Sequence, residues 1–280
     1  METISLLAGT VLLRPYVFAF LALYLLLGWW QIGWRRIFAW TLTGYGLAFA
    51  AEYGSIHWGI PFGDYFYIET TRGQELWIAG VPFMDSLSFT FLTFTGFSCA
   101  WPLAAAFRAR GWPPALDSAR YEEIRRSPAV LVAGAFITTL MDVVIDPVSL
   151  MGDRWFLGQI YGYRHQGAYF GVPAANFIGW AVVSAAIIGV NQLADSRLPK
   201  EMARALRTPY ALLHLGGFAL FLFIVGFNLA VTLWLKAHLL FCTSLSLVAG
   251  FLLLAAWIFA GGRGKERTLS REKGRKEWAS

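Results

Sequence analysis

The stretch "AVLVAGAFITTLMDVVIDPVSL" (residues 129–150) decides the fold class. From Ala129 to Ile145 it holds a single charged residue, Asp142, and Pro128 stands just before it, where a missing N–H costs a helix nothing. A helix over Pro128–Asp146 rises about 1.5 Å per residue, enough to cross most of a hydrocarbon core roughly 30 Å thick. Its end carries two aspartates, Asp142 and Asp146, four positions apart and so on one helix face. Charged groups are expensive inside a bilayer, so their presence there needs a reason.

The whole chain shares this character. Its 280 residues are 57% hydrophobic and 14% charged, with a mean hydropathy of +0.53. That is too apolar for a soluble domain of this length. The net charge of +6 comes from short basic clusters between apolar runs. No continuous basic face is left for nucleic acid. The first apolar stretch lacks a basic leader and reads as a span, not as a cleavable signal. Cys99 and Cys242 both lie in apolar runs and suggest neither a disulfide nor a metal site.

The expected architecture is all-α, a polytopic transmembrane bundle of about seven spans: Pro15–Ile32, Ile37–Ser55, Pro82–Phe107, Pro128–Asp146, Pro173–Gln192, Pro209–Ala230 and Ala237–Ala260. The last boundary rests on a weak signal around Asn228 and Lys236. Lys and Arg crowd the first, third and fifth loops and the C-terminal tail, which places these in the cytoplasm and the N-terminus outside. Residues 1–262 are expected to form one transmembrane domain. Residues 263–280 form a basic tail, solvated or held at lipid headgroups. The expected location is the cell membrane.

In the second loop, "YFYIE" and "ELWIA" flank "TTRGQ", a pattern that predicts a short hairpin. The fourth loop is rich in glycine and aromatics and is longer than a connector needs.

Helical rise also gives depth. Glu52 lies roughly 22 Å, and Asp142 roughly 21 Å, from the cytoplasmic ends of their spans. Asp146 is about one turn further out, while Asp85 and Asn176 sit about 5 Å inside spans that enter from the outer face. Four spans therefore bring polar groups to one outer level. No basic residue lies at that depth in any span, which leaves Glu52 and Asp142 without a predicted ion-pair partner. A site role is then the default reading, with a structural hydrogen bond as the alternative. Asp146 before Pro147 reads equally as a turn starter at the helix exit, and Asp85 and Asn176 as helix caps.

Like charges at i and i+4 repel, so the aspartate pair is expected to share one proton and to act as a general acid. Trp58, Tyr65, Tyr67, Trp155, Tyr161, Tyr169 and Phe170 offer π faces to a cation. Their bland reading is an interfacial aromatic belt.

Several motifs together resemble the carotenoid-biosynthesis membrane proteins that include carotenoid 1,2-hydratases and bisanhydrobacterioruberin hydratase. They are "EYGSIHWGIPFGDYFY" (residues 52–67), the Gly-Val-Pro at Gly80, "DVVIDP" (residues 142–147) and "GAYFGVPAANFIGW" (residues 167–180). In that family the residues after Gly80–Pro82 run apolar toward a tryptophan, whereas Phe83, Met84, Asp85 and Ser86 follow here. The segment "GDRWFLGQIYGYRHQ" is also longer and more polar than in the family.

The resemblance implies hydration of the terminal C1–C2 double bond of an acyclic (ψ-end) carotenoid, giving a tertiary alcohol without metal or other cofactor. It implies catalysis by Asp142, Asp146, Glu52 and Asp85. Asp64, Tyr65, Tyr67, Trp58, Tyr169, Asn176 and Trp180 would bind substrate. The expected partners are a lipophilic carotenoid, membrane lipid and other carotenoid enzymes.

An end-group cyclase would share the acid step. A prenyltransferase would read Asp-x-x-x-Asp as a Mg²⁺-diphosphate site, but the basic residues for phosphate are missing from that side. A seven-helix carotenoid- or retinoid-binding or transport protein is the non-enzyme alternative. The lysine that a retinal needs and the inverted repeats of a transporter are both lacking.

Overall fold

A computed structural model of the chain describes residues 2–112, 118–156, 158–195 and 214–261. Nine α-helices are described: α1 Glu2–Leu13, α2 Pro15–Ile32, α3 Trp34–Trp58, α4 Phe83–Ala109, α5 Ser118–Arg125, α6 Pro128–Ser149, α7 Ala174–Asp195, α8 Gly216–Trp234 and α9 His238–Ala260. Six of them, α2, α4, α6, α7, α8 and α9, are long and apolar enough to cross a membrane. The protein is a mostly helical, multi-pass membrane protein. The expected count of about seven differs at α3, which has a span's length of 25 residues but carries Arg35, Arg36, Glu52 and His57.

Helix α4 occupies the centre and packs against α2, α3, α6, α7, α8 and α9. Its sequence is apolar or small on every side, as a helix surrounded by others requires. Small residues set its crossings: Gly44 of α3 meets Thr90, Gly96 meets Gly134 and Thr138 of α6, and Gly217 of α8 meets Ser98. With no hydrophobic drive between helices in lipid, such close backbone approach supplies the packing.

Several expected boundaries move. Helix α6 runs past Asp146 through Pro147 to Ser149, so Asp146 is a helical residue and the turn-starter reading falls away. Asn228 does not break α8. Its side-chain amide donates to the Ile224 carbonyl (2.9 Å), its backbone carbonyl accepts from the Thr232 hydroxyl (2.7 Å), and the helix continues to Trp234. The chain turns at Lys236, with φ of 58°. The expected start of that span at Pro209 and the basic tail lie outside the described residues.

The second loop does not fold on itself as the hairpin expected from "YFYIE" and "ELWIA". Strand β1 (Tyr65–Tyr67) instead pairs antiparallel with β4 (Tyr161–Tyr163) of the fourth loop, Tyr65 opposite Tyr163 and Tyr67 opposite Tyr161. A separate tight pair joins β2 (Trp77–Ile78) to β3 (Val81–Pro82). Side chains alternate along a strand. The cross-loop register therefore gathers four tyrosines on one face, toward the helices, and sends Phe66 to the other, where it is exposed. Arg164 fastens the ladder's edge through its backbone N–H to the Asp64 carbonyl (3.1 Å) and an exposed ion pair to the Asp64 carboxylate (3.0 Å).

Candidate active site

Beneath this tyrosine roof lies a cavity of about 140 Å³. Glu52 of α3, Asp85 of α4 and the pair Asp142 and Asp146 of α6 all line it. The i, i+4 spacing turns both aspartates to one side of α6, and α7 meets them with Asn176. The Asn176 amide donates to Oδ2 of Asp142 (2.9 Å) and to Oδ2 of Asp146 (3.2 Å). Asp146 also accepts from the Tyr161 hydroxyl at Oδ1 and from the Tyr163 hydroxyl at Oδ2 (2.8 Å). On the α3 side, the Ser86 hydroxyl donates to Glu52, and the Tyr65 hydroxyl donates to that of Tyr67 (3.3 Å).

Burial pushes the Tyr161 and Tyr163 phenols well above their ordinary range, and the Asp146 charge adds to the effect. Burial does the same for Tyr67, helped by Asp85 and Glu52. These hydroxyls therefore keep their protons and act as donors.

The rest of the wall is aromatic and aliphatic. Trp180 stacks flat on Phe89, and Phe62 closes on both at 5.5 Å from Phe89 and 6.1 Å from Trp180. Gly179 makes room for this contact: a Cβ there would lie 2.9 Å from the Pro61 carbonyl oxygen and against the Phe62 ring. Val17, Phe20 and Ile224 complete the side formed by α2 and α8. One cavity thus joins acids and hydroxyls at the loop end to π faces and hydrocarbon further in. It suits a greasy ligand whose tip meets a proton donor.

Of the residues singled out from sequence, Glu52, Asp85, Asp142, Asp146, Tyr65, Tyr67 and Trp180 line the cavity, and Asn176 bridges two of them. Asp85 makes no cap hydrogen bond to its helix, whose N-cap is Pro82. Trp58 is 73% exposed at the end of α3 and does not line the cavity. Asp64 is spent on Arg164 at the surface. Tyr169 packs against Phe170 and Phe177 outside the cavity wall.

Arg14 adds a cation that the depth argument left out. It sits just ahead of the first span, is 1% exposed, and pairs with Glu75 of the second loop at 3.2 Å.

Sequence reasoning missed Tyr163, Ser86, Phe62 and Phe89. One signal was available: the second and fourth loops each carry a Tyr-x-Tyr, "YFY" and "YGY", the alternation of two strands that can share a face.

The fold and this cavity define a polytopic helical membrane protein with a pocket lined by acids and tyrosines. Over residues 4–248 the sequence matches the family described as carotenoid biosynthesis protein, and the chain belongs to that family. No curated protein and no solved structure matches the chain.

Proposed function

We propose that this protein hydrates the terminal C1–C2 double bond of an acyclic carotenoid. The observation that carries the reading is the carboxyl pair Asp142 and Asp146, bridged by Asn176 and facing a cavity whose other walls are aromatic and aliphatic. The carboxylic acid of Asp142 gives its proton to C2. The π pair forms the new C2–H bond and leaves a tertiary cation at C1, to which the stacked Trp180–Phe89 pair offers an outer π face from the cavity wall. Water bonds to C1 through oxygen, and its surplus proton returns to the Asp142 carboxylate. The net change is alkene plus water to tertiary alcohol, with the acid restored.

Glu52, Asp85 and Tyr67 supply polar partners for the water, and the polyene extends from the cavity into lipid. With the 25-residue α3 counted as a seventh crossing, the distribution of Lys and Arg supports an N-terminus outside the cell membrane, a cytoplasmic tail and a site at the outer leaflet. Neighbouring enzymes of carotenoid synthesis would deliver the substrate.

The test is expression of the full chain in a bacterium engineered to accumulate lycopene, with pigments analysed by mass spectrometry. The expected product is lycopene heavier by one or two waters. The Asp142→Asn variant should lower its yield by at least about a hundredfold, the usual scale of general acid catalysis. An isomer of unchanged mass would identify cyclisation instead. Product formation that survives Asp142→Asn would remove Asp142 from the mechanism.

A further inference from the structure

Asp142 and Asp146 stand one helical turn apart and share the Asn176 amide, yet their hydrogen bonding differs. Asp146 is an acceptor at both oxygens, from Tyr161 at Oδ1 and from Tyr163 and Asn176 at Oδ2. Asp142 accepts only from Asn176, at Oδ2. Its Oδ1 takes no hydrogen bond from the described residues, and the side chain lines the cavity.

This asymmetry has a chemical meaning. A protonated carboxyl has a proton of its own to donate from one oxygen, whereas an ionised one is acceptor-only at both. Neither Tyr161 nor Tyr163 has another hydrogen-bond partner among the described residues, so both hydroxyl protons go to Asp146. Hydrogen bonds to an ionised acceptor are about twice as strong as neutral ones. Two ionised carboxylates one turn apart in a low dielectric repel, so the pair keeps one proton and Asp142 is the member free to carry it.

We propose that Tyr161 and Tyr163 are positioning residues that hold Asp146 ionised, so that Asp142 presents its proton to the cavity from Oδ1. The division of labour rests on the hydration reading for its purpose, but not for its physics. Both hydroxyls come from β4, which pairs with β1 above α6. Covering the cavity and deciding which aspartate is the acid are therefore achieved by one structural unit.

The experiment uses the full-length protein in phospholipid vesicles, without carotenoid, at neutral pH. Infrared spectra in H₂O and D₂O report the C=O stretch of protonated carboxyls. Glu52 and Asp85 line the same cavity, and their bands cancel in wild-type-minus-variant differences.

Asp142→Asn should remove one protonated-carboxyl band, and Asp146→Asn should leave that band in place. Tyr161→Phe combined with Tyr163→Phe keeps both rings in the sheet. That variant should add about one carboxyl's worth of intensity, which a further Asp146→Asn removes. Each single Tyr→Phe variant gives a smaller change of the same sign, a second readout should the double variant fold poorly. A band lost with Asp146→Asn but not with Asp142→Asn would overturn the assignment, as would a double-Phe spectrum identical to wild type. If lycopene is not hydrated but the infrared pattern holds, the hydration reading fails and the assignment stands. If lycopene is hydrated but the infrared pattern is the opposite one, the assignment fails and the hydration reading stands.

Discussion

Trp180 lies flat on Phe89, with ring centroids 3.8 Å apart and planes 6° from parallel. The pair joins α7 to the central helix at the wall of the cavity. Aromatic pairs contribute roughly 0.5–1.5 kcal/mol beyond their buried area, and a face turned to a cation contributes up to about 2 kcal/mol when desolvated. Trp180→Ala should therefore reduce product yield about tenfold or more, and Trp180→Phe much less. Pigment analysis beside membrane protein level checks both. Equal yields from the Ala and Phe variants would mean that the π face plays no part.

Gly96 lies where α4 crosses α6. A Cβ there would run into the Thr138 hydroxyl and the Gly134 carbonyl, with the Thr138 amide nitrogen only 3.1 Å away. Gly96→Ala should cost about 1–3 kcal/mol through overpacking. Gly46→Ala, whose Cβ meets nothing within 4 Å, should be neutral or stabilise by up to about 1 kcal/mol. Unfolding in mild detergent separates the two, and the same response in both would contradict the crossing geometry.

At the far end of the bundle from the cavity, Asp195 of α7 ties α3 to α5. It pairs with Arg36 and, at 2.6 Å, with Arg125, which also holds Glu122 at 2.6 Å. All four side chains are mostly buried. Removing one partner from a buried network leaves uncompensated charge, at about 3–5 kcal/mol. Asp195→Ala should lower stability by that order, and Asp195→Asn by less. A loss below about 1 kcal/mol would show that water enters the network freely and screens it.

His214, just ahead of α8, is wedged between Trp101 and Tyr121 at ring distances of 4.9 and 4.7 Å. Burial lowers its pKa from the ordinary 6.5 to about 4. Between these values the unfolded chain binds the proton and the folded chain does not, so stability falls as the pH drops from 6.5 toward 4. At 1.36 kcal/mol per pH unit the full loss is about 3 kcal/mol. His214→Leu should flatten this acid limb. Thermal unfolding at several pH values from 7 to 4.5 measures it, and parallel curves for the two proteins would exclude His214 as the cause.

Much of the candidate site's layout was legible from local spacing. Asp142 and Asp146 four apart in an apolar run had to share a helix face, and counting rises placed Glu52, Asp85 and Asn176 near their level. That worked because a helix crossing a bilayer has a fixed rise and must satisfy its backbone internally. The reading of Asp146 as a turn residue failed for a local reason. Asp-Pro favours a turn in isolation, but here α6 carries Pro147 for one more turn, with Asp146 held in place by three donors.

The sequence by itself determined a greasy helical membrane protein, its approximate spans and a ring of acids at one level. These follow from composition and periodicity, which each segment carries alone. Only the tertiary structure decided that β1 pairs with β4, that the Tyr65, Tyr67, Tyr161 and Tyr163 side chains roof the acids, and that Asp146 is saturated while Asp142 keeps an oxygen for the cavity. Strands of three residues from opposite halves of the chain have too little local preference to name their partners. They meet because the helices beneath bring the two loops to the same end of the bundle.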